Sequence, residues 1–266
     1  MLGNNTEVLL HISNLSIVSN QSSGRTCLLK NIELTVNRGQ RIGLIGKSGS
    51  GKTLTSRSIL GLLPDALQYE SGKIIYGNNE IKLIDRNAVA KLRGKEIAMI
   101  FQEPHAALNP VFKVGTQLKD VIKANLCLSK RESKNIALES LSQVGFKDAE
   151  KIFSMYPGQL SGGMAQRIMS AMALSCKPKL IIADEPTSAL DAITQSKILK
   201  LIFDLQERNQ FALLIISHDI SLIKNFVEQI YILRGGQVVY SGSLQTLEYP
   251  NPDSYIQALF ESIPNL

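Results

Sequence analysis

No two of the three cysteines, Cys27, Cys127 and Cys176, are spaced as a CxxC pair. An odd, dispersed set offers neither a disulfide framework nor a zinc or iron–sulfur site, which points to a reducing compartment. The chain opens MLGNNTEVLL, without a basic segment leading into a long apolar one. No uninterrupted apolar run approaches the ~20 residues that cross a bilayer, so any pore is expected from another chain. Runs of like charge are also missing: 29 basic residues against 23 acidic ones leave +6, dispersed from Arg25 to Arg234. That excludes a nucleic-acid tail and suits a mildly basic, solvated exterior. Tryptophan is absent and aromatics reach only 6%, with none before Tyr69. The core must therefore be built from Leu, Ile, Val, Ala and Met, and a hydrophobic content of 44% excludes a disordered chain. Internal repeats, low-complexity tracts and Gly/Ser linkers are lacking too, so 266 residues are read as one large domain with a subordinate lobe.

What is present is an alternation of strand and helix patterns. Residues 8–18 and 32–36 alternate apolar and polar side chains and are predicted as strands, with the polar stretch 19–25 as their loop. Residues 41–45 read as a buried strand running straight into GKSGSGKT, followed by a helical pattern that ends at Pro64. This is the strand, glycine loop and helix order of a nucleotide-binding unit. After a short strand at 96–101 the texture changes: 104–112 reads as a loop, and 114–153 as an all-helical lobe broken at Gly145. Strands return at 180–183, 211–216 and 230–233, with a helix over 194–208, so the α/β core resumes after the helical insertion.

Gly46, Lys47, Ser48, Gly49, Ser50, Gly51, Lys52 and Thr53 match the P-loop pattern, in which glycines let backbone N–H groups wrap a β-phosphate at a helix N-terminus. Lys52 is expected to reach the β and γ phosphates, and Thr53 to hold Mg²⁺. The apolar strand 180–183 delivers Asp184 and Glu185 at its carboxyl end, where ligands of open α/β sheets gather. Asp184 suits the Mg²⁺ shell, and Glu185 suits the polarisation of an attacking water. Ser161, Gly162 and Gly163 form a second anion-binding helix start, ahead of a Met164, Ile168, Met172 stripe read as core packing. One ATP needs no second cradle in the same chain unless a partner chain contributes it.

LSGGMAQR followed by LIIADEPTSALD resembles the signature, Walker B and D-loop run of ABC ATPases, and the likeness extends from about Val8 to Gly242. By that resemblance Gln102 in IFQEP is the Q-loop glutamine, at the nucleotide and its Mg²⁺, and Asp191 in SALD is the D-loop acid. His218 in IISHD is by the same resemblance the switch histidine, hydrogen-bonding the γ-phosphate. His105 and His11 have no such context. FQEPHAALNPVFKVGTQL, YPGQLSGGMAQR and the tail YPNPDSYIQALFESIP are similar to the ATPases of peptide and nickel importers. Two departures stand out. The tail reads Pro252, Asp253, Ser254, Tyr255 where that family reads Pro-x-His-Pro-Tyr, and it lacks the cysteine cluster some members carry. Ser19 falls near the place where the family presents an aromatic ring to adenine, which leaves His11, Arg25 or aliphatic groups to hold the base, or a weak contact with it.

The resemblance implies an α/β fold: a P-loop NTPase (RecA-like) core with an N-terminal antiparallel β subdomain and an inserted all-helical lobe. It implies one ATPase domain over 8–266, with 8–102 and 176–242 as the core, 103–175 as the helical lobe and 243–266 as a tail. It further implies an ATP-hydrolysing import subunit using ATP and Mg²⁺, with Lys52, Glu185 and His218 catalytic. Two such subunits would pack head to tail, each ATP lying between one P-loop and the other chain's LSGG turn. The implied partners are a second, related ATPase, two membrane permease subunits and an extracytoplasmic binding protein, with no nucleic acid, at the cytoplasmic face of the membrane. Peptide and nickel or a nickel chelate both remain open as cargo, because this chain touches only nucleotide and permease. Two rival classes are a clamp on nucleic acid or ribosomes and a nucleotide-binding regulator without turnover. The first usually carries two ATPase units or a long coiled coil, and the second lacks the carboxylate and histidine present here.

Overall fold

The alternation that starts at Val8 builds a longer ribbon than the apolar pattern predicts: β1 (Val8–Gln21) and β2 (Gly24–Asn37) both run through the polar stretch expected as a loop. The reason is cross-strand pairing. Ser19 stands opposite Thr26 on one side and Leu67 on the other, and Asn20 opposite Arg25, so β1 is hydrogen-bonded along both edges. Asn20 also donates to Gln68 Oε1 (3.0 Å), and Arg25 pairs with Glu70. Such partners hold polar residues in a strand that their own propensity does not favour. The computed structural model describes residues 7–21, 24–81, 89–247 and 253–261. The chain divides into two compact units, Met1–Leu92 with Ala212–Leu266, and Arg93–Phe211.

In the first unit β3 (Arg41–Ile45) leads to α1 (Lys52–Ile59), and then come β4 (Leu67–Tyr76) and β5 (Asn79–Ile81), neither of which the sequence pattern suggested. The antiparallel sheet has the order β2-β1-β4-β5. Gly72 interrupts the β4 pattern at φ +96°, where a Cβ would lie 2.4 Å from Leu15 Cα. Asn14 beside it on β1, and Asn31 across β1 on β2, also adopt left-handed conformations near the register shift. A bulge of this kind needs a residue without a side chain at the closest approach.

The second unit holds β6 (Ile97–Ile100), a single-turn helix α2 (Pro104–Ala107) inside the segment expected as a loop, and α3 (Val114–Leu126). There follow α4 (Lys130–Gln143), α5 (Ala149–Ser154), α6 (Gly162–Leu174), β7 (Leu180–Asp184) and α7 (Ala192–Asn209). The lobe breaks after Leu126 as well as at Gly145, because Cys127 turns left-handed and Ser129 opens α4 with a capping box. Hydrogen bonds from Ser129 lower the Glu132 carboxyl below its ordinary range. The buried face of α6 centres on Ala165, Ile168 and Met169, while Met164 and Met172 are half-buried, so the predicted stripe is rotated. The unit boundaries fall at 92/93 and 211/212, where the sequence placed lobe boundaries at 102/103 and 175/176. The strands β6 and β7 pair in parallel with each other and stay with the helices between them.

Returning to the first unit, β8 (Ala212–Ser217), β9 (Gln229–Arg234), β10 (Gln237–Gly242) and α8 (Ser254–Glu261) close the chain. Parallel partners flank β3 on both sides, β8 and β9, and β10 runs antiparallel to β9. The unbroken burial of β7 and β8 explains their continuous apolar runs, since parallel strands are covered on both faces. Among the described residues no helix is long and apolar enough to cross a membrane. Pro252 lies outside the described residues.

Candidate functional site

Residues 46–53, the expected phosphate loop, leave the carboxyl end of β3. Gly46 is required there by packing, since a Cβ would meet Leu233 O at 2.4 Å and Ser50 Oγ at 2.5 Å. Ser50 N–H donates to Lys47 O (3.1 Å), closing the turn, and Gly51 at φ +107° starts α1. A Cβ at Gly51 would lie 2.6 Å from Leu29 Cδ2, so backbone and not side chain lines this loop. Lys47, Ser48 and Gly49 are exposed, and Thr53 is half-buried on the first helical turn. Lys52 is 4% exposed, and its Nζ donates to the carbonyls of Gly46 (2.8 Å) and Lys47 (3.2 Å). Ser50 Oγ is buried with no hydrogen-bond partner. A helix N-terminus, an ammonium group and an orphan buried hydroxyl in one loop fit a phosphate chain.

His218 belongs to the same unit and is exposed immediately after β8. Ile45 stands in register with Ser217, so the phosphate loop and the His218 loop leave neighbouring parallel strands at the same end. Ser217 Oγ fixes that second loop, accepting from Asp219 N–H (2.9 Å) and donating to Asp219 O (2.9 Å).

In the other unit β6 and β7 deliver Gln102, Asp184 and Glu185 in the same way. Ile100 pairs with Ala183, so the glutamine and the two acids follow the ends of adjacent strands. Asp184 is 3% exposed, Glu185 half-buried and Gln102 exposed. Glu185 adopts φ +43°, a conformation uncommon for a residue with a side chain. Its carbonyl is held by Ser188, through N–H (3.3 Å) and Oγ (3.2 Å). Strain retained at an acid after a buried strand is characteristic of a functional position.

Ser161 caps α6 by accepting from Met164 N–H (3.3 Å). The two glycines after it are packed against the loop that follows Glu185 and the first turn of α7: a Cβ on Gly162 would lie 3.0 Å from Leu190 Cδ2, and one on Gly163 2.9 Å from Thr194 Cγ2. Asp191 caps α7, accepting from Thr194 N–H (3.0 Å), and the hydrogen bonds from Thr194 lower its carboxyl below the ordinary range. The structure thus brings Ser161, Gly162, Gly163 and Asp191 onto one surface of this unit. Sequence reasoning missed Gln195, whose Nε2 donates to Thr187 O and Leu190 O (3.0 Å each) and so shapes the loop between Glu185 and Asp191. Its place in the first turn of a capped helix is the only signal the sequence carried.

Burial removes Ser19 from the positions at which a base could stack. Ser19 is 4% exposed with its Oγ buried and unpartnered, so it does not present a surface on which a base could lie. His11 is engaged with Thr35 Oγ1 (3.0 Å) and Arg25 with Glu70. Ser19→Tyr is therefore expected to overpack the sheet, lowering stability by about 1–3 kcal/mol without tightening ATP binding. Urea unfolding and calorimetry on the variant check this, and tighter binding at unchanged stability would restore the stacking role.

Residues 29–188 match the family described as ABC transporter. The dipeptide transport ATP-binding protein DppD of Escherichia coli (strain K12) is 37% identical over 256 residues, covering 96% of this chain and 78% of that protein. The oligopeptide transport ATP-binding protein AppD of Bacillus subtilis (strain 168) is 39% identical over 263 residues, covering 96% and 78%. Among solved structures, the dimeric post-hydrolysis state of the ATP-binding cassette MJ0796 bound to ADP and Pi superposes with a TM-score of 0.78. It shares 28% identity and covers 89% of this chain and 99% of that one. A phosphate-fitting loop after one parallel strand, a strained acid after another and a family match over more than half the chain agree: this chain belongs to the ABC transporter family.

Proposed function

We propose that this chain is the ATP-hydrolysing subunit of a peptide importer, acting as a peripheral protein at the cytoplasmic face of the membrane. The observation that carries the reading is the phosphate loop, with Lys52 drawn over its carbonyls and Ser50 Oγ left without a partner. In this reading residues 46–53 bind the triphosphate of ATP, and Lys52 reaches the β and γ phosphates. Thr53, Asp184 and Gln102 are the residues that would hold Mg²⁺, which would neutralise charge on the phosphates. Glu185 orients the water that attacks the γ-phosphate, and His218 hydrogen-bonds that phosphate and registers its departure. Positioning and fixed charge supply most of the rate in such a transfer.

Ser161, Gly162, Gly163 and Asp191 complete the nucleotide site of a second ATPase subunit packed head to tail. The γ-phosphate then favours the closed pair over the open one, and its loss reverses the balance. The partner is a related but different ATPase, working with two permease subunits and an extracytoplasmic binding protein. The names of DppD and AppD support peptide over nickel as cargo. Co-purification with the native membrane partners, followed by identification of the ligand on the associated binding protein, tests the reading. A bound peptide is expected, whereas a nickel chelate would replace the cargo assignment and a single ATPase species would remove the heterodimer.

A further inference from the structure

The hydroxyl of Tyr255, on the C-terminal helix α8, meets the phosphate loop 208 residues away in sequence. Tyr255 Oη accepts from Lys47 N–H (3.0 Å) and donates to Leu233 O (2.8 Å). That same Leu233 carbonyl is the group that leaves no room for a Cβ on Gly46. Two cations lie over the tyrosine ring, with Lys47 Nζ 5.6 Å and the Arg234 guanidinium 5.2 Å from its centroid. Asp253 fixes the start of α8, accepting from Tyr255 N–H (2.7 Å) and Ile256 N–H (3.3 Å), and it pairs with Arg234 (3.7 Å). Ile256 and Leu259 are buried, which anchors the helix carrying the ring.

Lys47 N–H and Gly46 C=O are the two ends of one peptide unit. Tyr255 holds the N–H end, and Lys52 Nζ donates to the C=O end at 2.8 Å. That peptide plane is consequently clamped on both edges, and rotating it would break both bonds together. We propose that Tyr255 is a positioning residue of the nucleotide site: the tail helix sets the orientation of the 46–47 peptide, and through it the placement of Lys52 and the affinity for ATP. Two hydrogen bonds on one planar unit polarise each other, so the loss of one loosens the other. Without the tyrosine hydroxyl the loop gains orientations that do not face the phosphates, and the fraction competent to bind falls.

The inference rests on residues 46–53 binding the ATP phosphates, so the test on the full chain includes Lys52→Ala beside Tyr255→Phe. Phenylalanine keeps the ring and its two cations and removes only the hydroxyl. A single hydrogen bond of this kind is worth a factor of about 2 to 10. Tyr255→Phe is expected to raise the ATP Kd and KM about 3- to 10-fold, with a much smaller change in kcat, and to speed exchange of the Lys47 amide proton. An unchanged Kd with unchanged amide exchange overturns the proposal. So does a lower Tm with unchanged Kd, which would mark the tyrosine as a structural anchor only. If Lys52→Ala also binds ATP normally, the phosphate-loop reading itself fails, whereas weakened binding by Lys52→Ala alone removes only the role of the tail.

Discussion

Glu185→Gln is expected to bind ATP as the native chain does and to lose turnover by about 10²- to 10⁴-fold in the assembled transporter, the range for removing a positioned base. The amide preserves the shape of the side chain and the backbone demands of its position. It cannot carry the negative charge that orients and polarises a water. Glu185 is half-buried at the end of a wholly buried strand, and its left-handed backbone is held by Ser188, so the substitution should leave the loop in place. A change in stability within about 0.5 kcal/mol is anticipated. The closed, ATP-bound pair of subunits should accumulate, because the event that opens it no longer occurs. Steady-state phosphate release from the reconstituted complex, beside calorimetric ATP binding, separates the two effects. Near-native hydrolysis would remove Glu185 as the catalytic carboxylate.

Lys52→Ala should act on the earlier step, weakening ATP binding by about 10- to 100-fold, as expected for the loss of charge-assisted hydrogen bonds. The ammonium group bridges Gly46 O and Lys47 O, which are backbone groups of the loop it would serve. Those carbonyls hold the cation against the backbone of residues 46–47. Removing it also takes a donor from Gly46 O, at a cost to stability of about 1 kcal/mol. Calorimetry with ATP and a urea titration without nucleotide distinguish the two losses. Undiminished ATP affinity at normal stability would show that the loop does not bind phosphate through this lysine.

The candidate site residues were legible because the motifs that carry them are contiguous segments. In GKSGSGKT the glycines themselves specify the backbone, as the blocked Cβ positions at Gly46 and Gly51 demonstrate. LIIADE places two acids after a run whose continuous burial its composition already demanded. The helical lobe was legible from its periodicity, although the break at Cys127 and the single turn at Pro104–Ala107 were not.

The sequence by itself determined the α/β class, the glycine-rich loop after β3, the two acids at the carboxyl end of the β7 run and the two glycines of the LSGG turn. Each depends on interactions within a few residues, which local composition records. Only the tertiary structure decided that the polar residues after Val18 remain in a strand, because partners on β2 and β4 hold them there. It likewise decided that Ser19 is buried rather than presented to a base, that Glu185 is left-handed, and that Tyr255 reaches Lys47. In these cases the deciding partner lies elsewhere in the chain or the strain is sustained by packing, and neither condition leaves a periodic mark in the sequence.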